Sequence, residues 1–400
     1  MTADKNAALA PTIAVTAAED SGPLRSGSLI PLELRTSVLP RPHRMDPMPS
    51  GAARFEPVRV IGRGGLGEVT LARDHDIDRP VAIKRLRGGP SDEQLHRFAH
   101  EVRTVGQLEH PNITPVYDVG VDDTGQHYFV MRYVEGETLE LVIAQLASGD
   151  PQYHARYPFE RRVEIVMGVL HAVQYAHARG IIHRDIKPAN IMIGPYGEVM
   201  LMDWGIAKHA AAGAPELPDA GAPTDPKLRT SGTRAGALVG TPLYMSPEQA
   251  SGRNDAIDER SDIYALCAVC YELLALQHYL PHVTNLQELL VAIVEAPHTK
   301  ACYVHSAAQS NVPAELAWFI EKGLEKDPAN RYQSVDEMIA ALQTAAAGRF
   351  PIQCPITLIK RTGNDAIRLV DRYPRIAMAA VVVGALLAAT GLVAAIRWLV

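Results

Sequence analysis

The residues of this chain whose types and spacing can do chemistry fall in three stretches. In the first, Ile61-Gly62-Arg63-Gly64-Gly65-Leu66-Gly67-Glu68-Val69, glycines recur as G-x-G-x-x-G, a turn whose backbone can approach phosphate groups closely because no Cβ intervenes. Dinucleotide-binding loops share that spacing but open a helix. Here the next residues are another β-type run, so the loop reads as a strand-turn-strand cover. The second stretch, Val81-Ala82-Ile83-Lys84, ends a strand-like run on lysine. Such a lysine is ordinarily a solvated surface charge. To serve the α and β phosphates of a nucleotide it must be buried and held by a carboxylate, and Glu101, on the helical pattern that follows, is the candidate. The third and most specific stretch is Ile182-His183-Arg184-Asp185-Ile186-Lys187-Pro188-Ala189-Asn190, which fills every fixed position of H-R-D-x-K-x-x-N.

These stretches need elements to hold them. From Arg54 the runs FEPVRVIG, VTLARD and RPVAIKRL are short and β-branched, which predicts a small antiparallel sheet; EQLHRFAHEVRTVGQL then has helical spacing and YFVMRYV is strand-like. Helical patterns dominate afterwards, in ERRVEIVMGVLHAVQYAHARG, SDIYALCAVCYELLAL, AELAWFIEKGLEK and VDEMIAALQTA. The expected class is α+β, with a sheet-rich lobe over about 54–133 and a helical lobe over about 134–345. The chemical candidates sit in loops between them, where a rigid scaffold presents reactive groups. Residues 1–53, rich in Ala, Pro, Ser and Gly without a period, read as a disordered arm. An Ala, Gly, Pro and Thr stretch at 210–236 interrupts the helical lobe, and 346–375 is a polar, basic connector.

Composition sets limits. Apolar residues make up 47% of the chain, enough for a sizeable core, and a net charge of −6 with scattered cations gives no reason to expect a nucleic-acid partner. Cys267, Cys270, Cys302 and Cys354 are too few for a disulfide framework and suit a reducing cytosol. Cys267 and Cys270 lie in an apolar run that reads as a buried helix rather than half of a metal site. The N-terminus carries acidic residues and no continuous apolar core, so it does not read as a secretory signal. Residues 377–396 contain no charge, and at about 1.5 Å per residue they span about 30 Å, the thickness of a bilayer core. A transmembrane helix is expected over 376–397, against the alternative of a buried Ala-rich helix. Lys360, Arg361, Arg368, Arg372 and Arg375 precede it and Arg397 follows, which places the N-terminal side in the cytoplasm. Gly384, Ala388, Gly391 and Ala395 give one small face that would permit a homodimer. Few residues follow Ile396, so no sensor domain is expected on the far side, and input is expected through partners, lipid or the N-terminal arm.

Over about residues 54–345 the sequence resembles the eukaryotic-type protein kinases, and in particular bacterial membrane-anchored Ser/Thr kinases. The resemblance implies a bilobal fold with a small β-rich N-lobe and a larger helical C-lobe. It also implies ATP and Mg2+ as cofactors, and transfer of the ATP γ-phosphate to Ser/Thr hydroxyls of protein substrates. Carried over position by position, the loop from Ile61 to Val69, Lys84 and Glu101 would bind ATP. Asp185 would accept the proton of the substrate hydroxyl, Lys187 would contact the γ-phosphate, and Asn190 and Asp203 would hold magnesium. Lys187, two residues after Asp185, is the family's mark of a Ser/Thr acceptor. Met131 would be the gatekeeper and residues 132–134 the adenine hinge. Met202-Asp203-Trp204-Gly205 stands where the family has Asp-Phe-Gly; tryptophan keeps an aromatic packing surface, so Asp203 is expected to be presented normally. Ser246-Pro247-Glu248 replaces Ala-Pro-Glu. Thr241 would help position Asp185 and Lys187, Glu248 would pair with Arg331, and Asp262 would brace the catalytic loop.

Two rivals are separated by particular residues. A pseudokinase scaffold would lack one or more of Lys84, Asp185, Asn190 and Asp203, and all are present. A small-molecule kinase of related fold would lack the peptide-seating segment from Thr241 to Glu248. From Asp203 to Glu248 the chain runs 46 residues, long for a family activation segment, with Thr224, Thr230, Ser231 and Thr233 in the excess. A phosphate there could pair with Arg184 and order the segment through charge-assisted hydrogen bonds. Autophosphorylation is expected in this segment, first at Thr233 and then at Thr230 or Ser231. Mass spectrometry of active enzyme should find it, and an unmodified segment in active enzyme would overturn the expectation.

Overall fold

The β-branched runs on either side of the glycine turn become one curled antiparallel sheet. In the computed structural model, residues 54–63, 67–86, 88, 90–204, 208–209, 242–280, 285–347 and the single positions 360, 362 and 378 are described. The N-lobe contains β1 (Phe55–Arg63), β2 (Gly67–Asp74), β3 (Arg79–Leu86), α1 (Asp92–Gly106), β4 (Val116–Val121) and β5 (His127–Arg132), and its sheet has the order β1-β2-β3-β5-β4. Side chains alternate across a strand. Val81 and Ile83 therefore share one buried face with Ala72, Tyr128 and Val130, while Leu86 joins Phe129 and Phe98 on the face covered by α1. Lys84 is two residues from Leu86 and lies opposite Phe129 in the β3–β5 register, so it faces α1 as well.

Backbone close approach explains Gly67: a Cβ there would come within 2.1 Å of the Arg85 carbonyl oxygen on β3. Arg54 closes the curl from the other side. Its guanidinium forks onto Asp74 with two 2.9 Å bonds and reaches Asp118 on β4 at 3.4 Å, so the start of β1 is tied to both β2 and β4. Helix α1 is started by a capping box in which Ser91 and Gln94 satisfy each other's backbone N–H.

The C-lobe continues with β6 (Glu137–Thr138), α2 (Leu139–Ala147), α3 (Pro151–Arg156), α4 (Phe159–His177), β7 (Ile181–Ile182), β8 (Ile191–Ile193), β9 (Val199–Leu201), β10 (Lys208–His209), α5 (Pro247–Ala250), α6 (Glu259–Ala275), α7 (Leu286–Glu295), α8 (Ala314–Gly323) and α9 (Val335–Ala346). Helix α6 is buried from Ser261 through Tyr271, which is why its sequence is apolar all round instead of striped. It packs on α4 and α8. At the α8 crossing only glycine fits, because a Cβ on Gly323 would meet Cys267 Sγ at 2.1 Å. Cys267 and Cys270 are free and buried, as the apolar run implied, and burial pushes the Cys270 thiol up to about 12.

A buried ion pair fixes the short helix α5. Arg331 forks onto Glu248 through two 2.9 Å bonds, with Ser261 Oγ donating to the same carboxylate at 2.6 Å. The guanidinium also donates to the carbonyls of Arg260, Glu325 and Lys326. Within the basic connector, Lys360 is helical and its Nζ lies 2.9 Å from Glu315 on α8. Among the described residues no helix is long and apolar enough to cross a membrane. The span expected at 376–397 lies outside them except for Met378, which is helical; the 1–53 arm and the 210–236 stretch lie outside them entirely.

Replacing Arg331 by Met strands a buried carboxylate. Urea unfolding is expected to show Arg331→Met destabilised by about 3–5 kcal/mol, with the double variant Glu248→Gln/Arg331→Met recovering part of that loss.

Candidate active site

The loop from His183 to Asn190 is hung on one carboxylate. Asp262, in the first turn of α6 and 1% exposed, accepts hydrogen bonds from His183 N, Arg184 N and His177 Nε2, each at 2.8 Å. Burial works to raise its carboxyl, and His177, His183 and the Arg184 N–H outweigh it, so the group is held below the ordinary carboxylate range. His183 carries the tether further. Its Nε2 faces the Met202 carbonyl at 3.1 Å and so bears the hydrogen, while Nδ1 accepts from Asp185 N at 3.2 Å. The catalytic-loop candidate and the residue before Asp203 are thereby joined through one imidazole.

Asp185 has one oxygen committed. Lys187 Nζ donates to its Oδ2 at 2.6 Å and Asn190 Nδ2 to the same Oδ2 at 3.2 Å, with a further 2.9 Å bond from Asn190 to the Asp185 carbonyl. Neither side chain uses Oδ1. Among the described residues that leaves a mostly buried carboxylate with one oxygen for an external proton donor.

Across the cleft, Lys84 Nζ lies 2.6 Å from Glu101 Oε1 on α1 and 3.4 Å from Asp203 Oδ1. Burial works against the Lys84 ammonium, but the two carboxylates outweigh it and raise its affinity for the proton above the ordinary value. Burial lifts the Glu101 carboxyl, opposed by Lys84, whereas Lys84 holds the Asp203 carboxyl below its usual range against burial. Asp203 takes a left-handed backbone, φ 62°, which turns its side chain out of the line of β9.

The glycine-rich hairpin meets this group by register. Gly62 pairs with Val69 and Val69 with Lys84, so three of the residues singled out from the sequence line up across neighbouring strands. Arg63 and Glu68 pair across the same hairpin at 3.0 Å, and Ile61 precedes them on β1. Gly64, Gly65 and Leu66 lie outside the described residues, as do Gly205, Thr230, Ser231, Thr233 and Thr241. Met131 and Arg132 end β5, with Arg132 N donating to the Pro115 carbonyl at 3.1 Å. Trp204 is 1% exposed and packs on the His183 ring with centroids 4.4 Å apart, while its neighbour Asp203 remains within reach of Lys84.

The donor set suits a hard divalent cation. Asn190 spends its amide nitrogen on Asp185, which leaves its oxygen, and Asp203 adds a half-exposed carboxylate; Mg2+ takes a few such oxygens and keeps waters or phosphate oxygens in its other positions. Among the described residues no cluster of three or more His, Cys, Asp or Glu side chains could hold a metal by itself. His177 is the functional neighbour that sequence reasoning missed. It sits in the last turn of α4, and its partner Asp262 is 85 residues away, so no local pattern announces it.

Residues 55–342 match the family described as protein kinase domain. The serine/threonine-protein kinase PknD of Protochlamydia amoebophila is 36% identical over 321 residues, covering 78% of this chain and 32% of its own length. The serine/threonine-protein kinase PknB of Mycobacterium tuberculosis is 37% identical over 306 residues, covering 74% of this chain and 44% of its own length. The probable serine/threonine-protein kinase SCO3848 of Streptomyces coelicolor is 35% identical over 304 residues, 74% of this chain and 40% of that one. The chain thus spans less than half the length of these relatives.

Because the folded pKa of Asp262 is depressed, its contribution to stability is present above the unfolded value of about 3.9 and is lost as pH falls through the folded one. Thermal melts of Asp262→Asn are expected to show lower stability than the parent at neutral pH, and a gap that narrows as the pH falls below that value.

Proposed function

Since this chain belongs to the protein kinase family, we propose that it transfers the γ-phosphate of ATP to serine or threonine hydroxyls of proteins. The observation that carries this is the state of Asp185: Lys187 and Asn190 hold one carboxylate oxygen, and among the described residues the other is left to take a hydroxyl proton. In the reaction the substrate oxygen attacks the γ-phosphorus as its proton passes to Asp185 Oδ1, and the bond from the γ-phosphorus to the β–γ bridging oxygen breaks to leave ADP. Lys187 contacts the transferred phosphoryl group. Lys84, steadied by Glu101, holds the α and β phosphates under the hairpin formed by β1 and β2. Asn190 and Asp203 would hold the metal, and Mg2+ bound there would neutralise charge that develops on the phosphate oxygens. Little covalent help is needed, so positioning and charge account for the catalysis. The Ser/Thr acceptor class rests on Lys187 and on the names of the relatives.

The same reading takes 376–397 as a single membrane span with the kinase domain on the cytoplasmic side, paired through its small face, and the 210–236 stretch as the site of autophosphorylation.

Incubation of the full chain in detergent with [γ-32P]ATP and magnesium should label serine or threonine of the protein itself or of a generic basic protein. Asp185→Asn should lower that rate by at least about 10²-fold. A parent that labels neither would defeat the catalytic reading.

A further inference from the structure

The departure from the family pattern at Ser246 has a physical use. Ser246 is fully buried; its Oγ accepts from Gln249 N at 3.4 Å, and Gln249 Oε1 accepts from Ser246 N at 3.0 Å, a reciprocal capping box at the start of α5. The same Oε1 also accepts from Ser246 Oγ at 3.2 Å. With its oxygen committed to Ser246, Gln249 presents Nε2 on the other side, where it donates to the Arg184 carbonyl at 3.0 Å. The partners dictate this assignment of oxygen and nitrogen: Ser246 N can only donate and the Arg184 carbonyl can only accept, so a flipped amide would lose both bonds.

Arg184 is the residue before Asp185 and adopts φ 69°, a left-handed conformation that costs a non-glycine residue free energy and persists only where neighbours over-determine it. Those neighbours can be named. Asp262 Oδ1 takes the Arg184 N–H at 2.8 Å, and the next peptide has its carbonyl held by Gln249 and its N–H held by His183 Nδ1 at 3.2 Å. Helix α5 is itself fixed by the buried Glu248–Arg331 pair one residue before Gln249. We propose that Gln249 is a positioning residue for Asp185: it transmits the fixed place of α5 to the peptide that aims the catalytic carboxylate, and Ser246 is the side chain that orients its amide for the task.

This inference rests on the reading of Asp185 as proton acceptor, and two variants of Gln249 separate its fate from that reading. Gln249→Glu keeps the acceptor of the capping box but removes the N–H and sets a carboxylate against the Arg184 carbonyl. Gln249→Met keeps the length and removes both. Steady-state kinetics of the full chain in detergent, with ATP, magnesium and a generic basic protein, are read beside thermal melting. The expected result for Gln249→Glu is a fall in kcat of about tenfold, with KM for ATP within about twofold and a melting midpoint that drops less than that of Gln249→Met. Gln249→Met should lose kcat to a similar degree and melt lower, since it also loses the cap. A parental kcat in Gln249→Glu would overturn the proposal. A kcat loss that follows the melting midpoint in both variants would overturn it too, because it would mark a merely structural role. A parent that is inactive in this assay would instead defeat the reading of Asp185, and the proposal with it.

Discussion

Everything at the site depends on one buried carboxylate. Taking Asp262 out of water costs several kcal/mol, and a lone anion in that place would simply protonate. Three N–H donors offset the cost, and all three are what the site needs held: two consecutive backbone groups of the His183–Asn190 loop and the His177 ring that backs them. Through His183 the same anchor reaches the Met202 carbonyl, so the strand that delivers Asp203 shares its foundation. The loop has no regular structure of its own to fix it, and α6 supplies that rigidity from inside the core.

A second constraint ties the lobes together. Lys84 comes from β3, Glu101 from α1 and Asp203 from the end of β9, so the cluster of one cation and two carboxylates exists only when sheet, helix and C-lobe are in mutual place. Burial opposes each member of the Lys84–Glu101 pair, and their attraction opposes burial. The arrangement is therefore sensitive to where α1 stands, since moving Glu101 away would leave a buried ammonium facing Asp203 alone.

Much of this was legible in the sequence. Lysine at the end of a strand-like run and a carboxylate on the next helical pattern paired Lys84 with Glu101, and the apolar run of α6 announced its burial. Both follow from patterns that repeat within a few residues. What could not be read was set by chain separation. His177 meets Asp262 across 85 residues, and Gln249 meets Arg184 across 65. The exchange of alanine for serine at 246 was visible as a departure, but its reason lies in the amide it orients, which only the folded chain reveals. Strands as short as β6, β7 and β10 carry too few residues for a period, and they form because the strands and loops around them leave backbone groups to be paired.

The anchoring of the catalytic loop by α6 also sets an order of events during synthesis. The His183 and Arg184 N–H groups reach a partner that lies 79 and 78 residues further along the chain. A ribosome delivers the β1–β2 hairpin, Lys84 and the whole His183–Asn190 loop well before it delivers Asp262, and Arg331 comes later still. Until α6 has emerged, the strained Arg184 backbone lacks the Asp262 anchor that takes its N–H, so the nascent chain carries these side chains before their geometry is fixed. The geometry of the His183–Asn190 loop is thus complete only once the helical lobe is in place.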